Sequence, residues 1–171
     1  LNDLGVTVFR EQLIGFLAVR LSVEDWYRRH PELDAPEIVA PLLGLGLPRT
    51  GSTALSFLQA QDPRTRSLLA WEASMPTPPP DPDTYATDPR IAALEAGSAF
   101  LDQLAPRFKG MLPSEPDGPT ECLQLLALDF RSAMLYLQAG PDYRTWLMTC
   151  DMTPAYAYHR RVLKLLQWRF P

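Results

Sequence analysis

The chain has 171 residues, a formal net charge of -4 and a hydrophobic share of 46%. That length holds one domain with a sizeable core. The acidic balance excludes a nucleic-acid surface built on Lys and Arg, and no apolar run reaches membrane-spanning length.

Residues 6–28 are predicted to form a helix, with Val8, Leu13, Phe16, Leu17, Val19 and Val23 on one broad face. His30-Pro31 ends it. Residues 37–45 read as a buried strand, with Pro41 near its start. Residues 51–61 read as a helix stopped by Asp62-Pro63. The short apolar stretch 67–72 is either a second strand or a helical turn. Residues 76–89, rich in Pro, Asp and Thr, exclude regular helix and central strand and are expected as an exposed loop. Residues 90–108 read as a helix burying Ile91, Leu94, Phe100, Leu101 and Leu104, followed by a loop over 109–119. Residues 119–138 read as one strongly apolar helix, and 155–168 as the last helix. Cys122 and Cys150 have neither metal-ligand nor Cys-x-x-Cys spacing, which predicts reduced, mostly buried thiols and suits a cytoplasmic protein.

The stretch Gly46-Leu47-Pro48-Arg49-Thr50-Gly51-Ser52-Thr53 lies between the predicted strand and the helix at 51–61. A turn bounded by glycines and opening a helix aims unpaired N–H groups at one point, where the helix dipole favours an anion. The spacing is that of a nucleotide P-loop, Gly-x4-Gly-Lys-Ser/Thr, with Ser52 at the Lys position and the cation moved to Arg49. A P-loop Lys serves a multiply charged, Mg²⁺-bridged phosphate tail. Arg49 instead offers a flat fork of donors, which suits a less charged group held without a metal. A sulfuryl group on a phosphate fits that description.

Residues 44–72 resemble the 5′-phosphosulfate loop of sulfotransferases that use 3′-phosphoadenosine-5′-phosphosulfate (PAPS), in particular a bacterial branch. Arg20-Leu21-Ser22-Val23-Glu24-Asp25-Trp26, Leu69-Ala70-Trp71-Glu72 and the helix from Tyr158 to Trp168 are similar to further segments of that branch. The resemblance implies an α/β, P-loop-like parallel-sheet sulfotransferase domain, helix-rich in this part. Residues 1–171 would be the N-terminal part of that single domain, with most strands and the 3′-phosphate residues beyond Pro171. It implies PAPS as sulfuryl donor and a small-molecule or lipid-like hydroxyl acceptor. Pro48, Arg49, Thr50, Gly51, Ser52 and Thr53 would bind the cofactor. Glu72 matches the position of a Glu base in relatives that lack a His base, with Arg49 as its catalytic companion.

Independently, Glu72 follows an apolar stretch beside Trp71, where burial raises a carboxyl pKa toward that of a base. Its other reading is a helix-capping carboxylate. Glu121 and Asp62 are rival carboxylates explained by a helix start and a turn, and His30 and His159 read as structural. Leu125-Leu126-Ala127-Leu128-Asp129 imitates a Walker B strand, but Cys122, Leu126, Phe130, Ala133 and Leu137 repeat at helical spacing through it. Asp81, Asp83 and Asp88 lack the Gly and Glu of a Ca²⁺ loop, so no metal site is expected. Trp71, Met75, Tyr85, Phe108 and Met111 are candidates for an apolar acceptor pocket. A P-loop kinase or NTPase, and a non-catalytic anion-binding protein, are the alternatives.

Overall fold

The computed structural model describes residues 2–47, 50–104 and 115–169, apart from the side chains of Phe100, Leu101, Asp102, Leu104 and Leu137. The helices in chain order are α1 (Asp3–Arg29), α2 (Ser52–Gln59), α3 (Ala70–Ser74), α4 (Pro89–Leu104), α5 (Leu123–Ala127), α6 (Tyr136–Ala139), α7 (Pro141–Leu147) and α8 (Thr153–Gln167). The chain divides into two compact units, one from residues 1–38, 76–80 and 122–171, the other from 39–75 and 81–121. Among the described residues no helix is long and apolar enough to cross a membrane.

In the first unit, α1 begins under Asn2, whose side chain accepts the Gly5 N–H at 2.9 Å and satisfies one open donor of the first turn. Arg28 and Arg29 close it at the negative end of its dipole. Its buried stripe is narrower than expected. Phe16, Val23 and Tyr27 are buried, whereas Val8 and Leu17 are exposed. α8 supplies the opposing apolar face with Val162, Leu165 and Leu166, all fully buried, and packs against α5. Each such side chain contributes roughly 1.5–3 kcal/mol by leaving water. The Tyr27 hydroxyl donates to the Arg161 carbonyl at 2.7 Å, which fastens α1 to α8.

Residues 119–138 do not form the single helix expected. α5 stops at Ala127, and Phe130 sits in the left-handed region at φ 56°. Ser132 opens a new 3-10 turn by accepting the Met134 N–H at 3.3 Å. Arg20 of α1 donates to the Leu128 carbonyl at 2.9 Å and to Asp129 at 3.0 Å. Tyr143 of α7 donates to the carbonyls of Phe130 and Ser132 at 2.9 and 3.0 Å. A left-handed non-glycine residue costs roughly 1–2 kcal/mol, and these tertiary bonds outweigh it. The Walker-B-like stretch is thus the end of a helix and a turn.

The expected strand at 37–45, which lies in the second unit from Val39 on, is not formed. Val39, Leu42, Leu43 and Leu45 are 78%, 72%, 67% and 94% exposed. A buried strand needs neighbours to take its N–H and C=O groups. Among the described residues, β pairing is limited to one antiparallel bridge between Leu69 and Pro119. These residues therefore do not build the parallel sheet. The stretch at 67–72 combines both of its readings: Leu69 is extended in that bridge, and α3 follows at once. The segment at 76–89, whose residues 76–80 belong to the first unit, is less exposed than expected, because Pro76, Pro79, Pro80 and Asp88 are buried. Residues 105–108 of the helix predicted over 90–108, and most of the loop after it, lie outside the described residues.

Candidate functional site

The loop at 46–53 closes on itself through Thr50, whose hydroxyl donates to the Leu47 carbonyl at 2.7 Å. A Cβ on Gly46 would stand 3.2 Å from that hydroxyl oxygen, so the small residue lets the turn tighten. Gly51 is the N-cap of α2 at φ 87°, a conformation that favours glycine. Among the described residues no side chain caps α2, and Ser52 and Thr53 are exposed. Its first-turn N–H groups and two hydroxyls therefore face outward, the arrangement that receives an oxyanion. The hydroxyl proton of Thr50 is spent inside the turn, so Thr50 would serve an anion through its backbone. Pro48 and Arg49 lie outside the described residues.

α2 connects to α3 through the turn at 115–120. The Phe57 ring of α2 lies so near Gly118 that a Cβ there would sit 3.1 Å from it. Gly118 and Pro116 carbonyls accept the N–H groups of Ala70 and Trp71 at 2.9 and 3.0 Å, and Thr120 donates to Leu68 at 2.9 Å. These bonds set the start of α3 and so place Glu72 at its third position.

Glu72 is completely buried. One oxygen accepts from Arg66 at 2.6 Å and the other accepts the Leu69 N–H at 3.0 Å; the Tyr85 hydroxyl donates to the carboxylate as well. Burial pushes the carboxyl above its usual range. Arg66, the Leu69 N–H, Tyr85 and Arg90 pull against it. Glu72 is therefore a capping carboxylate and, in the same place, an ionisable group raised toward neutrality. Arg66 matters to both, since stripping a buried ion of its partner costs roughly 3–5 kcal/mol. Sequence reading missed Arg66: the five residues between the partners carry no periodic signal, and the pairing depends on the passage from extended Leu69 into α3.

Around Glu72, Trp71 is fully buried, with the Tyr85 ring edge-on at 5.4 Å and the Arg90 guanidinium 4.5 Å from its centroid. Arg90 forks onto Asp88 at 2.8 and 2.7 Å and reaches the Met75 carbonyl at 2.7 Å. Met75 and Tyr85 are half-buried, while Phe108 and Met111 lie outside the described residues.

The remaining candidates fall elsewhere. Asp62 pairs with Arg64 at 2.7 Å, and Glu121 is exposed just before α5. In the first unit, His30 stacks on Trp26, lies tilted against Trp168 and meets Glu32 at 3.0 Å. His159 is buried on α8, and burial depresses its pKa. Among the described residues Cys122 and Cys150 form no disulfide, and both are half-buried rather than mostly buried. Among the described residues no three His, Cys, Asp or Glu side chains gather as a metal site would require.

A model described as "Sulfotransferase family" matches residues 41–171. Among solved structures, the sulfotransferase STF9 from Mycobacterium avium aligns with a TM-score of 0.85 and 34% identity, covering 98% of this chain and 44% of that one. The sulfotransferase STF1 from Mycobacterium tuberculosis H37Rv aligns with a TM-score of 0.82 and 33% identity, covering 98% of this chain and 46% of that one. The chain thus spans less than half the length of either. No curated protein matches it.

Proposed function

The chain belongs to the sulfotransferase family, and from that premise we propose that it is the part of an enzyme that moves a sulfuryl group from PAPS to a hydroxyl of a small-molecule or lipid-like acceptor. The observation that carries this reading is the uncapped start of α2 behind a left-handed Gly51, with Ser52 and Thr53 exposed and no lysine in the turn. These donors fit a phosphosulfate, whose charge is modest and which needs no metal bridge. The N–H groups of Gly51, Ser52 and Thr53 bind it, Pro48 and Thr50 complete the cofactor-binding set, and Arg49 holds its terminal oxygens. Glu72 takes the acceptor's proton. PAPS, when bound, supplies an activated sulfuryl group; the chain's own residues orient it for in-line attack and exclude water.

The parallel sheet of the expected α/β class is part of this proposal. Residues 37–45, unpaired among the described residues, would supply one of its strands once residues outside the 171 pair with them, with both compact units in one domain. The proposed setting is the cytoplasm, where Cys122 and Cys150 stay reduced; the partners are the nucleotide and the acceptor.

Calorimetric titration of the intact protein tests the reading. PAPS is expected to bind without metal and Mg·ATP to bind poorly. Arg49→Ala is expected to weaken PAPS about tenfold or more, the scale of one charge-assisted contact. Unchanged affinity in that variant removes Arg49 from the site, and preference for Mg·ATP overturns the reading in favour of a kinase or NTPase.

A further inference from the structure

A general base has to come within hydrogen-bond reach of the proton it removes. Glu72 does not meet that condition alone. It is 0% exposed, with one oxygen held by Arg66 at 2.6 Å and the other by the Leu69 N–H at 3.0 Å. Tyr85 is different: its hydroxyl bonds the Glu72 carboxylate, yet the residue is only half-buried. Arg66, the other side chain on Glu72, cannot serve as a carrier, since a guanidinium neither accepts nor releases protons near neutral pH.

Tyr85 is also firmly placed. It opens a short 3-10 turn, Tyr85–Thr87, closed by the Thr87 N–H on the Thr84 carbonyl at 3.0 Å. Its ring packs edge-on against Trp71. Just beyond it, the buried Asp88–Arg90 fork ties the segment to the Met75 carbonyl. A segment that by composition is a plain connector is thus pinned at the residue that touches Glu72.

We infer that Tyr85 is a proton-relay residue: its hydroxyl oxygen meets the acceptor hydroxyl, and Glu72 is the proton's destination behind it. This rests on the base role proposed for Glu72. As the acceptor oxygen forms its bond to sulfur, its proton passes to the Tyr85 oxygen, and the proton already on Tyr85 passes to the Glu72 carboxylate. The bond between sulfur and the bridging phosphate oxygen breaks, and its electron pair leaves with the phosphate. Tyr85 ends as it began and Glu72 ends protonated, so no oxidant or further reactant is needed. Burial and the neighbouring carboxylate both raise the phenol's pKa. A free phenolate is therefore unfavourable, and the two transfers have to be coupled.

Tyr85→Phe keeps the ring on Trp71 and removes only the hydroxyl. In the intact protein it is expected to lower single-turnover rate by ~100-fold or more, the scale of lost acid–base catalysis, with PAPS affinity unchanged. Glu72→Gln is expected to do the same, and the double variant to be no slower than either single one. Carbon-13 NMR of the unliganded protein should show the Glu72 carboxyl titrating at higher pH in Tyr85→Phe, because a donor to the charged form is gone. In mixed light and heavy water, the unmodified protein is expected to give a curved rate dependence, as two moving protons require. A near-normal rate in Tyr85→Phe beside a crippled Glu72→Gln overturns the relay and leaves Glu72 acting directly. A near-normal rate in Glu72→Gln overturns the base role and the relay together. A linear dependence on deuterium content overturns the relay even if a variant fails to fold.

Discussion

Asp88 and Glu72 are both buried carboxylates with an arginine partner, yet their surroundings push them in opposite directions. The Arg90 fork holds Asp88 below the usual carboxylate range. Its stabilising contribution is therefore present above the ordinary Asp pKa and is lost as pH falls through the lowered one. Asp88→Asn is expected to lower melting temperature at neutral pH and to flatten the decline below about pH 4; a parallel decline in both proteins would mean that Asp88 does not set it. For Glu72, raised by burial, the sign reverses: its contribution is fully present below the ordinary Glu pKa and is lost as pH rises through the raised one. The sequence carried the hint for Glu72, a carboxylate beside a Trp after an apolar run. It carried none for the partners, because Arg66 and Tyr85 reach Glu72 only once the chain has folded back around α3.

At the scale of elements, α1 and α2 were legible because local stop signals, His30-Pro31 and Asp62-Pro63, bound them, and α8 was legible to within two residues of its start. The break after α5 was not. The apolar repeat runs through it without interruption, and what ends the helix are bonds from Arg20 and Tyr143, far away in sequence. α7 also went unread, although Pro141 and Asp142 are ordinary helix-start residues. The anion loop was readable as a turn because its glycines have distinct duties. Gly51→Ala forces a side chain into the left-handed region, where it costs roughly 1–2 kcal/mol. Urea denaturation is expected to show that loss, and titration a weakened hold on PAPS. An unaltered midpoint and affinity would mean that the turn does not need this conformation.

For the whole molecule, the exposed apolar run from Val39 to Leu47 stands out in a chain that spans 44% and 46% of two mycobacterial sulfotransferases. An apolar stretch of this kind reads as a buried strand, and the reading needs partners that the described residues lack. Amide hydrogen exchange at 39–47 is expected to be fast in residues 1–171 alone and slow in a form extended past residue 171. Equally fast exchange in both would remove the strand from the proposed sheet. The two units themselves are interleaved along the chain, since residues 76–80 belong with the first although they interrupt the second. No single cut in the polypeptide releases either unit intact. A nascent chain cannot complete the first unit until its final stretch has left the ribosome, so the earliest helix has to wait, partly bare, for partners synthesised more than a hundred residues later.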